Sequence, residues 1–131
     1  EIYLEKYVKD VMIEARLAFE IAKTMIFPAA VEYQNRLAQA SRALQEMGKK
    51  HCTTVLDELC RLVADLQIRN EDLRKAIAHE AKGGVADHAR YCRDKIVPAM
   101  AEVREVADQL ENIVADDLWP LPTYQEMLFI K

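Results

Sequence analysis

Three stretches of apolar residues spaced alternately three and four apart, separated by short glycine-bearing breaks, predict an all-α fold. The composition agrees: 51% of the 131 residues are hydrophobic and 31% charged, with only three Gly and four Pro to interrupt helices. Short breaks make sequential helices antiparallel neighbours. The expected architecture is therefore a three-helix, up-down-up antiparallel bundle with a long first helix, closed by a docked C-terminal strap plus short helix. Residues 1–115 form the helical bundle and 116–131 the strap and short helix, together one domain.

The first helix is expected from the chain start to about Met47. Its apolar stripe is Leu4, Val8, Val11, Ala15, Ala18, Ala22 and Met25, and Glu5 with Lys9 adds an outward i,i+4 ion pair. Pro28 removes one backbone donor and kinks the rod. The stripe then resumes in shifted phase as Tyr33, Leu37, Ala40, Leu44 and Met47, and Gly48 supplies a C-cap. Thr54 is the expected N-cap of the second helix, with Asp57 and Glu58 favoured in its first turn. This helix runs to about Lys82 on the stripe Leu56, Leu59, Val63, Leu66, Asn70, Leu73 and Ile77. Asn70, the one polar residue on that seam, reads as a register-setting core residue. Gly83-Gly84 turn the chain.

The third helix carries Ala89, Cys92, Ile96, Ala99, Val103, Val106, Leu110 and Ile113 without a break across Pro98. Ile26-Phe27-Pro28-Ala29-Ala30 resembles Ile96-Val97-Pro98-Ala99-Met100. Counting ~1.5 Å per residue along the parallel first and third helices places the two prolines within about 10 Å in height, as matched kinks.

The end of the chain holds the single Trp and two of the four Pro. Pro120 and Pro122 push the residues before them toward extended backbone, so Leu118 to Pro122 should be a stiff strap. Thr123 with Glu126 has capping-box spacing, which predicts a short helix through Ile130. Leu118, Trp119, Pro120, Leu121, Pro122, Tyr124, Met127, Leu128 and Phe129 are the expected docking side chains. Ordering this backbone costs about 1–2 kcal/mol per residue, while each large buried apolar side chain returns about 1.5–3 kcal/mol. The strap therefore orders only where it finds a surface.

Asp117-Leu118-Trp119-Pro120-Leu121-Pro122-Thr123-Tyr124 with Glu126-Met127-Leu128-Phe129-Ile130 resembles the C-terminal end of type III glutamine synthetases. Glu1-Ile2-Tyr3-Leu4-Glu5-Lys6-Tyr7-Val8-Lys9-Asp10-Val11 and Tyr91-Cys92-Arg93-Asp94-Lys95-Ile96-Val97-Pro98-Ala99-Met100 resemble the C-terminal region of the same family. The resemblance implies a parent enzyme that joins ammonia to glutamate with ATP and a divalent metal, Mg or Mn. It implies that the nucleotide, metal and substrate residues lie upstream, in a catalytic portion. No catalytic, cofactor-binding or metal residue is carried over to this chain, which is expected to be inactive alone and to hold no cofactor. Its implied partners are its own upstream catalytic domain and other subunits of a homo-oligomer. The chain opens on Glu1 with helical patterning already under way, which reads as a piece of a longer chain. The competing reading is a stand-alone coiled-coil-like protein-interaction module.

Composition narrows the remaining classes. A net charge of −4 with interleaved rather than clustered basic residues argues against a nucleic-acid partner. No apolar run reaches eighteen residues and no signal peptide is visible, so a membrane is not expected. Cys52, Cys60 and Cys92 lack disulfide-framework spacing, which suits a reducing, cytoplasmic setting. His88 and Cys92 are four apart on one face, with His79 able to reach them, but a structural zinc site needs four ligands and this set lacks them. There is no Gly-rich phosphate loop and no Gly-x-Ser-x-Gly elbow.

The first helix is too long for its partners. About 46 residues at ~1.5 Å each give roughly 70 Å, against roughly 42–45 Å for the other two. With a short loop tying its far end, the excess should project at the N-terminus. Ile2, Tyr3, Leu4, Tyr7, Val8, Val11, Met12 and Ile13 are then expected as a bare interface, able to recruit a second copy when no other domain covers it.

Overall fold

A computed structural model describes residues 2–79 and 82–122. Among these residues all regular structure is helical: α1 (Ile2–Ile21), a π-helical turn (Ala22–Ile26), α2 (Phe27–Glu46), α3 (Thr54–Ala78), α4 (Val85–Tyr91), a second π-helical turn (Cys92–Ile96) and α5 (Val97–Glu111). The π turns join their flanking helices without a break, so the chain forms three rods, 2–46, 54–78 and 85–111. The first rod runs antiparallel to α3, and the third runs parallel to the first, with α1 packed along α4 and α5.

The two widened turns explain how proline is carried inside a helix. Proline has no N–H, and its ring collides with the carbonyl four residues back. In each rod an i to i+5 turn ends just before the proline, with Phe27 N–H bonded to the Ala22 carbonyl and Val97 N–H to the Cys92 carbonyl. The bend predicted at Pro28 and Pro98 is thus built from an extra residue in the turn. The two turns are not level. The first packs against α3 and α5, whereas the second packs against α1 and α3. They are staggered along the bundle, because α1 starts beside α4 and the first turn comes later in its rod than the second does.

The core is contributed by every rod. Leu59, Leu62, Leu66, Leu73, Ile96 and Leu110 are its largest fully buried side chains, and Ala15, Ala22 and Ala30 let the first rod approach them closely. Each such large side chain stabilises the fold by about 1.5–3 kcal/mol. Asn70 sits on the seam, 7% exposed. Its Nδ2 donates to the Phe19 carbonyl at 3.2 Å, while its Oδ1 is buried without a hydrogen-bond partner. Thr24 donates its hydroxyl to the Glu20 carbonyl at 2.6 Å. Side-chain donors thus reach two carbonyls just upstream of the first widened turn.

One boundary falls where the sequence reading put it, at the Gly48 cap, and two depart from it. α2 ends at Glu46 on a Schellman motif: Gly48 takes φ +71°, its N–H bonds the Gln45 carbonyl, and Lys49 N–H bonds the Leu44 carbonyl at 2.9 Å. α3 has Thr53, not Thr54, at its N-cap, and the Thr53 hydroxyl donates to the Asp57 carboxylate at 3.1 Å. Its other end stops at Ala78 rather than near Lys82. There the Tyr91 hydroxyl donates to the Ala76 carbonyl at 2.7 Å, and the His79 ring stacks on Tyr91 at 5.1 Å. A tyrosine from α4 takes over a carbonyl that a longer helix would have used.

The long first rod also distributes its excess differently. Gln34 donates to the Cys60 sulfur at 3.0 Å, so the start of α3, six residues before Cys60 on an antiparallel helix, lies level with about Ala40 in the second half of α2. Residues 42–50 are exposed beyond that level. The irregular connection up to Thr53 is extended enough to travel back along the bundle to the start of α3, since each residue spans up to ~3.3 Å. The C-terminal part of α2 therefore projects, and Leu44 and Met47 lie exposed.

Candidate docking surfaces

The start of α1 is flanked by α4 rather than standing free. Val11 is buried in the core, contrary to its place on the expected bare face, and Val8 and Met12 are half-buried against the same core. Leu4 is half-buried and lines a cleft with Tyr3, Tyr7, Ala86, Ala89, Arg90 and Arg93. What remains open is Ile2 at 83% exposure and Tyr3 at 86%, with Tyr7 at their margin, while Ile13, at 52%, stands apart beyond the exposed Lys6–Asp10 ion pair. Helical geometry accounts for the division. Val8, Val11 and Ala15 lie on the stripe facing the other rods, whereas Ile13 lies on the opposite flank.

At the other end, α5 stops at Glu111 and the chain folds over the bundle. Leu118 and Trp119 N–H groups both bond the Ala115 carbonyl, so Leu118 belongs to a turn and only the following residues are irregular. Pro120 disfavours helical backbone at Trp119 and ends the turn. Leu118, Trp119 and Leu121 are half-buried against the core, Pro120 is half-buried and Pro122 exposed. Arg36 from α2 bonds the Asp117 carboxylate at 3.2 Å, an exposed pair of the kind worth about 0–1 kcal/mol. Tyr124, Met127, Leu128, Phe129 and the expected helix through Ile130 lie outside the described residues.

Trp119, Leu121 and Pro122 form one end of a groove of about 850 Å³ between α1 and α5. Leu17, Ile21, Val97 and Met100 contribute apolar walls, with Glu14, Arg104, Asp108 and Glu111 among its polar lining residues. Leu17 is 58% exposed and Val97 40%. The stripe reading missed this surface. Its signal was present as Ile13, Leu17 and Ile21, a second apolar row four residues apart beside the main one.

Cys92 is buried, and burial pushes its thiol above the ordinary range. Cys52 is exposed, and the Thr54 hydroxyl beside it, 3.0 Å from the sulfur, holds its thiol below the ordinary value. Arg74 holds the Glu71 carboxyl down through a 2.6 Å ion pair. Among the described residues no three His, Cys, Asp or Glu side chains gather in a metal-ligating group, and no helix is long and apolar enough to cross a membrane. The surfaces that stand out are apolar and extended.

A helical bundle does not by itself indicate a function. Residues 1–45 match the family model of the glutamine synthetase C-terminal domain. The whole chain aligns at 30% identity, over 141 positions, with a type-3 glutamine synthetase of Dictyostelium discoideum. The chain is thus similar over its whole length to part of a type-3 glutamine synthetase, and over its first third to that family's C-terminal domain. It also aligns over its full length with a glutamine synthetase of Bacteroides fragilis at 31% identity, and over 98% of its length with one of Butyrivibrio fibrisolvens at 28%. In each case the chain spans 19% of the relative's length. The half-buried strap and the open strip at the start of α1 are therefore features of a domain whose relatives are far longer.

Proposed function

We propose that this chain is the non-catalytic helical C-terminal domain of a glutamine synthetase and that its work is architectural. In the parent enzyme, ATP-dependent ligation of ammonia to glutamate belongs to the upstream catalytic portion, which holds the nucleotide and the Mg or Mn ions. This domain packs on that portion and supports the homo-oligomer. The reading is carried by the alignments, which run the length of this chain while covering 19% of each relative. The exposed Ile2, Tyr3 and Tyr7 at the start of α1 support a packing role, because large apolar side chains exposed together are characteristic of surfaces that meet another protein.

Two measurements test the proposal. Calorimetric titration of the 131-residue chain with ATP and magnesium should give no saturable binding, and micromolar binding would overturn an architectural role. Sedimentation of a whole glutamine synthetase that carries this domain, with Ile2, Tyr3 and Tyr7 changed to Ser, should show dissociation of the assembly or loosening of the domain. An unchanged sedimentation profile and unchanged protease resistance of the domain would remove the packing role.

A further inference from the structure

We propose that the groove between α1 and α5 is the seat of this chain's own residues 123–131, with Tyr124, Met127, Leu128 and Phe129 as the side chains that fill it. The strap delivers the chain to that place, since Trp119, Leu121 and Pro122 already form one end of the groove. The groove then runs along Leu17, Ile21, Val97 and Met100, apolar residues that the rest of the bundle leaves partly uncovered. Its volume of about 850 Å³ leaves room for several large side chains.

Reach is sufficient in either backbone form. From Ala107 back to Val97 the α5 wall is about 15 Å long. Nine residues span about 13 Å as a helix or about 28 Å extended, so the segment can run the groove without leaving it. Chemistry matches as well: the segment brings large apolar side chains to apolar walls. Being tethered at Pro122, it is present at an effective concentration on the order of millimolar, which a second copy in dilute solution does not reach. The seat makes this domain self-closing at its C-terminal end and leaves the start of α1 as the surface for other chains. This inference stands apart from the glutamine synthetase reading, and either can fail alone.

Nuclear Overhauser spectroscopy on the methyl-labelled full chain tests it. The aromatic protons of Tyr124 and Phe129 should give cross-peaks to the methyl groups of Leu17, Val97 and Met100, with intensities that persist on dilution. Ala101, an exposed residue lining the same groove, offers a block. Ala101→Glu should abolish those cross-peaks while the Leu59 and Leu66 methyl signals of the core stay in place. Cross-peaks that vanish on dilution would put a second copy's tail in the groove and overturn the proposal. So would their absence from the full chain, or their survival at full strength in Ala101→Glu.

Discussion

Asn70 of α3 gives its amide Nδ2 to the Phe19 carbonyl of α1 at 3.2 Å, and its own carbonyl oxygen, equally buried, receives nothing in return. One hydrogen bond is worth about 0.5–1.5 kcal/mol net, while an unsatisfied buried acceptor costs about 1–3 kcal/mol. The cost is the larger of the two. Asn70→Leu should therefore stabilise the chain by about 1 kcal/mol, seen as a raised midpoint in urea denaturation with an unchanged slope. A lower midpoint would mean that the Phe19 contact contributes more than it costs. A raised midpoint would leave register rather than stability as the role of the polar residue, as with other single polar residues on helical seams.

Tyr91 closes the end of α3, and its hydroxyl is held above the ordinary tyrosine range by burial and, secondarily, by the Cys92 thiolate. A raised folded value means that the neutral phenol is favoured in the native state. Its contribution is fully present below the unfolded value of 10.0 and is lost as pH rises through the folded value. Tyr91→Phe should cost about 0.5–1.5 kcal/mol at neutral pH through the lost bond to Ala76. It should also flatten part of the stability loss above pH 10.0, the remainder belonging to the buried Cys92 thiol. Thermal melts of both proteins across the alkaline range check the two effects together.

Gly83 adopts φ +107°, and a Cβ built there would run into the Asp87 carboxylate, which accepts a bond from Gly84 N–H at 3.2 Å and so caps α4. Gly83→Ala should destabilise by about 1–3 kcal/mol, from backbone strain together with displacement of that cap. In an Asp87→Ala background the same change should cost less, because the collision is gone and only the φ penalty remains. A double-mutant cycle measures the difference, and additive effects would show that the carboxylate is not in the way.

The sequence carried the α3 seam almost whole: Leu59, Val63, Leu66, Asn70 and Leu73 are all buried where the three-four spacing put them. The same spacing failed at one step of the first rod. A strict alternation after Ala22 selects Met25, yet Ile26 is buried and Met25 exposed, because the widened turn holds one more residue than an α turn. Proline signalled a disturbance there but not its form. The projecting end of α2 was hidden for another reason, since nothing local tells how far a connection such as 47–53 travels back. Of the docking surfaces, the apolar character of Trp119 and Tyr3 was plain from the chain. The protection of Val11 was not, because it depends on how closely the other rods lie alongside α1, which no local pattern in the chain gives.

The two π turns have a consequence for how this domain tolerates changes in length. In an ordinary α-helix, removing one residue rotates everything downstream by about 100° and turns the buried face outward. A π turn already contains the surplus residue. A one-residue deletion inside 22–26 or 92–96 can be absorbed by tightening that turn to α geometry, provided that Pro28 or Pro98 is replaced as well, since an α turn would bring the proline ring against the carbonyl four residues back. The same deletion at Ala15 or Val106 has no such slack and would scramble the core. One-residue shortening of these rods should therefore go together with loss of the internal proline that the spare residue accommodates.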